Sequence, residues 1–291
     1  MIEFVNAKIN IGLQIVRKRE DGYHDLQTLF YPVGIYAGTP ANETEFCDIL
    51  EICANETPEE GFRFECMGRK VDCAPEKNLV YRAAMLFAEE TGVDLSTIKV
   101  VLDKHLPDGA GLGGGSADAS FLLRMLARRF REGEDLPLYD WAARLGADCP
   151  FFILNRPAYA EGIGERLEAS SLDLSGFWLV IVKPDVYVST REAFSGVKPR
   201  PSDFDLRFLP QTPIEEWRHK VKNDFEDSIF PLHPEIKEVK ERLYGRGALY
   251  ASMTGSGSAL YGIFRERESA VKTAIEFKEK ATIAVSCLLK M

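Results

Sequence analysis

The sequence predicts an α+β protein of two domains. Three observations carry that expectation. Strands and helices are mixed through the N-terminal part, a glycine-rich loop leads from one strand into a long helix, and a second α+β part follows a change of texture near residue 160. The expected domains are residues 1–160 and 161–291, a length that gives each part room for its own core.

Taken in order, Val5, Ala7, Ile9, Ile11, Leu13 and Ile15 alternate with Asn6, Lys8, Asn10 and Gln14. Residues 4–16 therefore read as one strand with an apolar and a polar face. Asp21-Gly22 marks a turn. CDILEIC and FRFECMG follow as strands, and KNLVYRAAMLFAEETG as a helix stopped by Gly92. TIKVVLD is a strand, and beyond the glycine loop a helix starts near Ser116. Ala119, Leu122, Leu123, Leu126 and Phe130 form its buried stripe, with Arg124, Arg128 and Arg131 outside it. The helix LYDWAARLG leads into ADCPFFIL. WLVIVKP is a strand, followed by a proline-rich polar stretch over 184–213 and helices around 223–229 and 234–244. GALYASMTGSGSALYGIF gives two strands about a glycine–serine turn, and ERESAVKTAIEFKEKA a charged helix.

The loop PDGAGLGGGSA meets two phosphate-binding patterns in part. Gly109-x-Gly111-x-x-Gly114 has the dinucleotide spacing. However, DKHLPD separates the strand from Gly109, and Glu132, Glu134 and Asp135 fall in a polar linker rather than closing a second strand. Gly109, Gly114, Gly115 and Ser116 have the Walker spacing, but Gly115 stands where the phosphate-neutralising lysine belongs. What the two patterns share survives: glycines let backbone N–H groups approach a phosphate, and a helix start adds its positive end. Five glycines lie between 109 and 115. Each costs about 0.5–1 kcal/mol relative to alanine in ordered structure, so the loop is expected to bind phosphate rather than merely to turn. The missing positive charge is expected from Lys104, just upstream, and from Lys8 beside Asn10.

A formal net charge of −9 excludes a broad nucleic-acid or anionic-membrane surface. No run approaches the roughly 18 apolar residues of a membrane span, and Glu3 and Lys8 make the N-terminus a poor signal peptide. Cys47, Cys53, Cys66, Cys73, Cys149 and Cys287 form no C-x-x-C pair and read as reduced core thiols. A cytoplasmic enzyme with no obligate protein partner is expected.

NAKINIGL, LPDGAGLGGGSADAS and SMTGSGSALYG resemble the three motifs of the GHMP small-molecule kinases. The resemblance implies a ribosomal protein S5 domain 2-like N-terminal domain, a ferredoxin-like C-terminal domain, ATP as phosphoryl donor, and Mg²⁺ arriving with it. DGYHDLQTLF, NLVYRAA, RLGADCPFF, GIGERL and NDFE resemble the branch whose acceptor carries a cytidine diphosphate group. That branch phosphorylates a hydroxyl of 4-diphosphocytidyl-2-C-methyl-D-erythritol, giving the 2-phosphate, on the non-mevalonate route to isoprenoids. All the blocks, in family order, span residues 6–262.

Carried over residue by residue, the resemblance makes Asp148 the catalytic carboxylate and Lys8 its partner. Asn78, Lys104, Pro107, Gly109, Ala110, Gly111, Leu112, Gly113, Gly114, Gly115, Ser116 and Ala117 should hold ATP. Tyr23 and Phe194 should sandwich the pyrimidine, His24 should read its edge, and Asn10 and Thr190 should hold the methylerythritol or its diphosphate. No protein ligand for a metal is identified. Without the resemblance, Asp148 reads as a helix N-cap before Pro150, Lys8 as part of a solvated strand face, and Tyr23-His24 as a half-buried loop pair. Asn6 stands where the family usually has proline, Ala117 where a second serine is common, and the connection over 31–48 is longer than usual. Two other readings stand beside this one. A mevalonate, homoserine or sugar kinase of the same family has no pyrimidine for Tyr23 and His24, and a non-catalytic nucleotide-binding protein needs neither Lys8 nor Asp148.

Overall fold

A computed structural model describes residues 1–34, 46–71, 73–278 and 281–288, with 282–288 described as backbone. Most of the atypical connection after LQTLF and the side chain of Cys287 lie outside the described residues. In chain order the strands are β1 (Ile2–Val5), β2 (Ala7–Lys18), β3 (His24–Val33), β4 (Asp48–Ala54), β5 (Arg63–Gly68), β6 (Ile98–Lys104), β7 (Ala158–Glu161), β8 (Arg166–Ala169), β9 (Trp178–Pro184), β10 (Tyr250–Met253), β11 (Leu260–Phe264) and β12 (Ala281–Leu288). The helices are α1 (Leu79–Thr91), α2 (Gly114–Phe130), α3 (Leu138–Leu145), α4 (Cys149–Leu154), α5 (Thr190–Ser195), α6 (Ile214–Lys220), α7 (Phe225–Ile229), α8 (Pro234–Gly245) and α9 (Arg267–Phe277). The described residues form two compact units, one within 1–7, 46–71, 73–108 and 113–155, the other within 8–34, 109–112, 156–278 and 281–288.

In the first unit the sheet runs β1-β4-β6-β5, antiparallel except for the β5/β6 pair. Helix α2 packs against β1 and β4, with α1, α3 and α4 around it. Asn78 caps α1 by accepting a hydrogen bond from Val80 N, and Gly92 ends it in the left-handed region at φ 70°, as its sequence position predicts. Ala119, Leu122, Leu123 and Leu126 of α2 are buried as expected, while Phe130 is half-covered. The helix begins at Gly114, two residues before the expected start.

The single strand expected over 4–16 is broken at Asn6. Its amide pairs reciprocally with that of Asn155, through bonds of 3.1 and 2.9 Å, and donates to Ala7 O at 2.9 Å. The break puts β1 and β2 in different sheets.

In the second unit, one sheet runs β2-β3-β7-β8, with the Asp21-Gly22 turn between its first two strands. The other runs β10-β11-β9-β12, antiparallel throughout. Taken with α8 and α9, its chain order is β9-α8-β10-β11-α9-β12, the split βαβ pattern of ferredoxin-like folds. Val180, Val182, Met253, Leu260 and Phe264 of the sheet meet Ile236, Leu243, Ala270 and Phe277 of the two helices in one core. Strands β7, β8 and β12 are not among the elements expected from sequence, although Ile283, Val285 and Cys287 alternate with Thr282, Ala284 and Ser286, and the proline-rich stretch turns out to hold α5 and a 3₁₀ turn over Leu206–Gln211.

Two expectations need correction. The polar face of β2 is not solvated: Lys8, Asn10 and Gln14 are 3%, 2% and 7% exposed, because they find partners inside the fold. The cysteines are not uniformly core thiols either. Cys47 and Cys149 are buried, whereas Cys66 and Cys73 are exposed.

Candidate active site

In the second unit, strand β2 delivers Lys8 and Asn10 into a tight polar network. Lys8 Nζ donates to Asn10 Oδ1 at 2.7 Å and to Gly111 O at 3.0 Å, and lies 5.1 Å from the centroid of the Phe30 ring. Lys8 N donates to Leu112 O at 2.9 Å. Asn10 Nδ2 donates to Thr28 Oγ1 at 3.0 Å, and Asn10 N donates to Thr254 Oγ1 at 3.1 Å. The Thr254 hydroxyl lies 3.0 Å from Gly111 O and 3.2 Å from Asn10 Oδ1. The first and third sequence motifs thus meet on the loop segment 109–112. Gly111 is required there. It sits at φ 74°, and a Cβ would fall 2.0 Å from the Thr254 carbonyl oxygen.

At the acceptor end, Ser189 caps α5 by accepting from Glu192 N at 3.1 Å. The cap makes Thr190 the first helical residue and sets Phe194 four positions on, along the same face. The Phe194 ring stacks on His24, centroids 4.8 Å apart with 23° between planes, and meets the edge of Phe225. The structure therefore brings His24 onto Phe194, while Tyr23 stands 61% exposed. Burial, helped by the Lys18 charge, holds the His24 pKa below the ordinary imidazole value.

In the first unit, the second half of the loop becomes the start of α2. Its N-cap is Gly113 at φ 73°, which offers no side-chain oxygen to the first-turn amides. Those N–H groups lie at the positive end of the helix. Ser120 Oγ bridges Ser116 O and Cys149 O, each at 2.8 Å, and so ties α2 to the start of α4. Asp148 immediately precedes α4 with helical dihedrals, and its side chain makes no capping bond. Asp148 thus occupies the N-cap position before Pro150, without a side-chain capping bond. Burial pushes the neighbouring Cys149 thiol up to about 11, which leaves it inert as a nucleophile.

Lys104 has an unexpected setting. Its ammonium is held between Asp48 and Asp118, the latter at 2.7 Å, and the three residues are 2%, 0% and 1% exposed. Burial opposes the charge on Lys104, but the two carboxylates outweigh it and raise its pKa. Burial raises the Asp118 carboxyl well above the usual range despite Lys104, and Asp118 Oδ1 has no hydrogen-bond partner. Asp48 Oδ1 also accepts from His105 N at 2.6 Å and Leu106 N at 2.7 Å, which fixes the chain as it leaves β6. A Cβ on Gly114 would lie 2.9 Å from Lys104 Nζ, so this cluster sits directly beneath the start of α2. Sequence reasoning found Lys104 but missed Asp48 and Asp118, which look like ordinary flanking polar residues. Pro107 and Ala117 are buried in this unit, and the Asn78 side chain is engaged as the α1 cap. Among the described residues, no group of three or more His, Cys, Asp or Glu side chains is placed to hold a metal, and no helix is long and apolar enough to cross a membrane.

A kinase is what the chain's relatives define. The model of the GHMP kinases N terminal domain matches residues 78–156, and that of the C terminal domain matches residues 208–281. The chain belongs to the GHMP kinases, which depend on ATP, and the two-domain α+β class expected from the sequence is borne out. More particularly, it is 46% identical over 277 residues to 4-diphosphocytidyl-2-C-methyl-D-erythritol kinase of Bacteroides fragilis, covering 95% of this chain and 96% of that one. It is 43% identical over 280 residues to the enzyme of the same name from Porphyromonas gingivalis, covering 94% and 96%. A crystal structure of 4-(cytidine 5'-diphospho)-2C-methyl-D-erythritol kinase matches 100% of both chains with a TM-score of 0.82 at 31% identity. A mevalonate kinase from Methanococcus jannaschii, at 12% identity over 100% and 98% of the chains, shares the fold with a TM-score of 0.66.

Proposed function

We propose that this chain transfers the γ-phosphoryl group of ATP to a hydroxyl of 4-diphosphocytidyl-2-C-methyl-D-erythritol, giving the 2-phosphate, in the cytoplasm, as a step toward isoprenoid precursors. The observation that carries this reading is near-full-length identity of 46% to a kinase named for that acceptor. In this reading the Asp148 carboxylate accepts the hydroxyl proton as that oxygen attacks the γ-phosphorus, and ADP leaves. Lys8 offsets the charge that develops on the transferred group. The loop amides and the positive end of α2 hold the ATP phosphates, and Mg²⁺ enters with ATP as part of the donor. Tyr23, His24 and Phe194 recognise the cytosine, with Asn10 and Thr190 toward the diphosphate and methylerythritol. Residues 1–160 carry the nucleotide and catalytic work, and 161–291 complete the acceptor end. Asn78 and Lys104 act on ATP by shaping its binding loop.

The test is ADP release from ATP by the purified protein. Stimulation is expected with diphosphocytidyl-methylerythritol and not with mevalonate or homoserine; the opposite pattern sinks the assignment. Asp148→Asn should lower kcat by about 10²–10⁴-fold while ATP affinity, read by calorimetry, stays nearly unchanged. A fully active Asp148→Asn enzyme removes the general-base role.

A further inference from the structure

Tyr187 is 74% exposed, more than any other large apolar or aromatic side chain among the described residues. The backbone that presents it is nonetheless firmly held. The carbonyl of Val186 accepts from Lys183 Nζ at 2.8 Å and from Ser258 Oγ at 2.5 Å, and these donors are 8% and 0% exposed. Lys183 Nζ also donates to Pro184 O at 2.7 Å. On the other side Val188 is 3% exposed, and Ser189 closes the segment by capping α5. An aromatic ring is thus displayed to solvent from a strap pinned at both ends. It is not a loose surface residue.

The ring lies against the phosphate loop. A Cβ on Gly109 would come within 3.3 Å of Tyr187 Cε2, so the first glycine of the loop leaves the space that the ring edge occupies. Thr190 and Phe194 follow it by three and seven positions on the same strap and helix. The segment therefore joins the phosphate loop at one end to the His24–Phe194 ring pair at the other. A rigid, exposed aromatic in that position has the character of a contact completed by a ligand, since its apolar face stays in water until something covers it.

We propose that Tyr187 is a specificity-determining residue that packs against the nucleoside diphosphate part of the acceptor, covering the loop at Gly109. The inference rests on the proposed acceptor. Donor and acceptor both bring phosphate chains, and the test separates them by titrating CDP and ADP by calorimetry into the wild type, Tyr187→Ala and Tyr187→Phe. Tyr187→Ala should weaken CDP binding about tenfold, in line with the loss of one aromatic contact to a nucleotide, and should leave ADP binding within about twofold. Tyr187→Phe should retain most of the CDP affinity. The KM for the cytidyl acceptor should rise in parallel with the CDP dissociation constant, more than kcat falls. Equal CDP affinity in Tyr187→Ala and wild type overturns the inference, as does a loss confined to ADP or a wild type that does not bind CDP. A wild type that binds CDP through Tyr187 yet fails to phosphorylate the cytidyl alcohol overturns the proposed reaction and leaves this contact standing.

Discussion

Residue 111 shows how far a single position can be read. Five glycines in the loop announce close backbone approaches, but which of them is obligatory follows from what each one faces, and Gly111 faces the Thr254 carbonyl. Asp148 reads from sequence as a helix cap or, by family resemblance, as a catalytic carboxylate; it stands at the N-cap position of α4 and its side chain makes no capping bond there. His24 carries a pH prediction. Its pKa is held below the ordinary histidine value of about 6.5 by burial and Lys18, so the neutral ring predominates at pH 7. CDP affinity in the wild type should stay flat relative to a His24→Asn variant from pH 8 to about 6.5. It should fall away only in more acidic solution, where protonation replaces a ring acceptor with a donor. Calorimetric titrations across that range check it; a divergence already complete at pH 7 would contradict the neutral ring.

Among the elements, α2 owes its boundary to the loop and its footing to charge. Its apolar stripe was legible from period alone, since Ala119, Leu122, Leu123 and Leu126 repeat on one face. The ion cluster beneath its start was not. Lys104 meets Asp118 from fourteen positions away and Asp48 from fifty-six, and a local window holds no record of either pairing. Replacing Lys104 by methionine should cost about 3–5 kcal/mol, because two buried carboxylates lose their counter-ion. The double variant Lys104→Met/Asp118→Leu should recover part of that loss. Urea melts of the two variants against wild type measure it, and a Lys104→Met protein as stable as wild type would show that the cluster does not hold the loop's foundation.

For the whole molecule, the thiols make the packing measurable. Burial separates Cys149, fully covered and with its pKa raised to about 11, from the exposed Cys66 and Cys73. Iodoacetamide at pH 8, followed by peptide mass spectrometry, should label Cys73 and Cys66 in the native protein. Cys47 and Cys149 should react only at the rate of global unfolding. Rapid native labelling of Cys149 would mean that the α2–α4 packing opens locally. The second unit also shows why overall architecture resists local reading. Its β10-β11-β9-β12 order sets β9 between β11 and β12, partners that are widely separated from it in sequence, and no local pattern says which strand pairs with which.

Read alone, the sequence determined the family and most of the helices, with the stop of α1 at Gly92, and singled out the glycine loop with Lys8, Asp148, His24 and Phe194 as candidates. Those signals are local: glycine runs, caps, a 3.6-residue period and short ordered motifs act over a few positions. Only the tertiary structure decided that the polar face of β2 is buried, that Asn6 breaks the first strand by pairing with Asn155, and that Lys104 is engaged by Asp48 and Asp118. It alone decided that His24 lies on Phe194, and that the Tyr187 ring edge lies beside Gly109. Each of these depends on which distant side chain fills a space or satisfies a buried polar group, and that partner is chosen when the core closes, not by its neighbours in the chain.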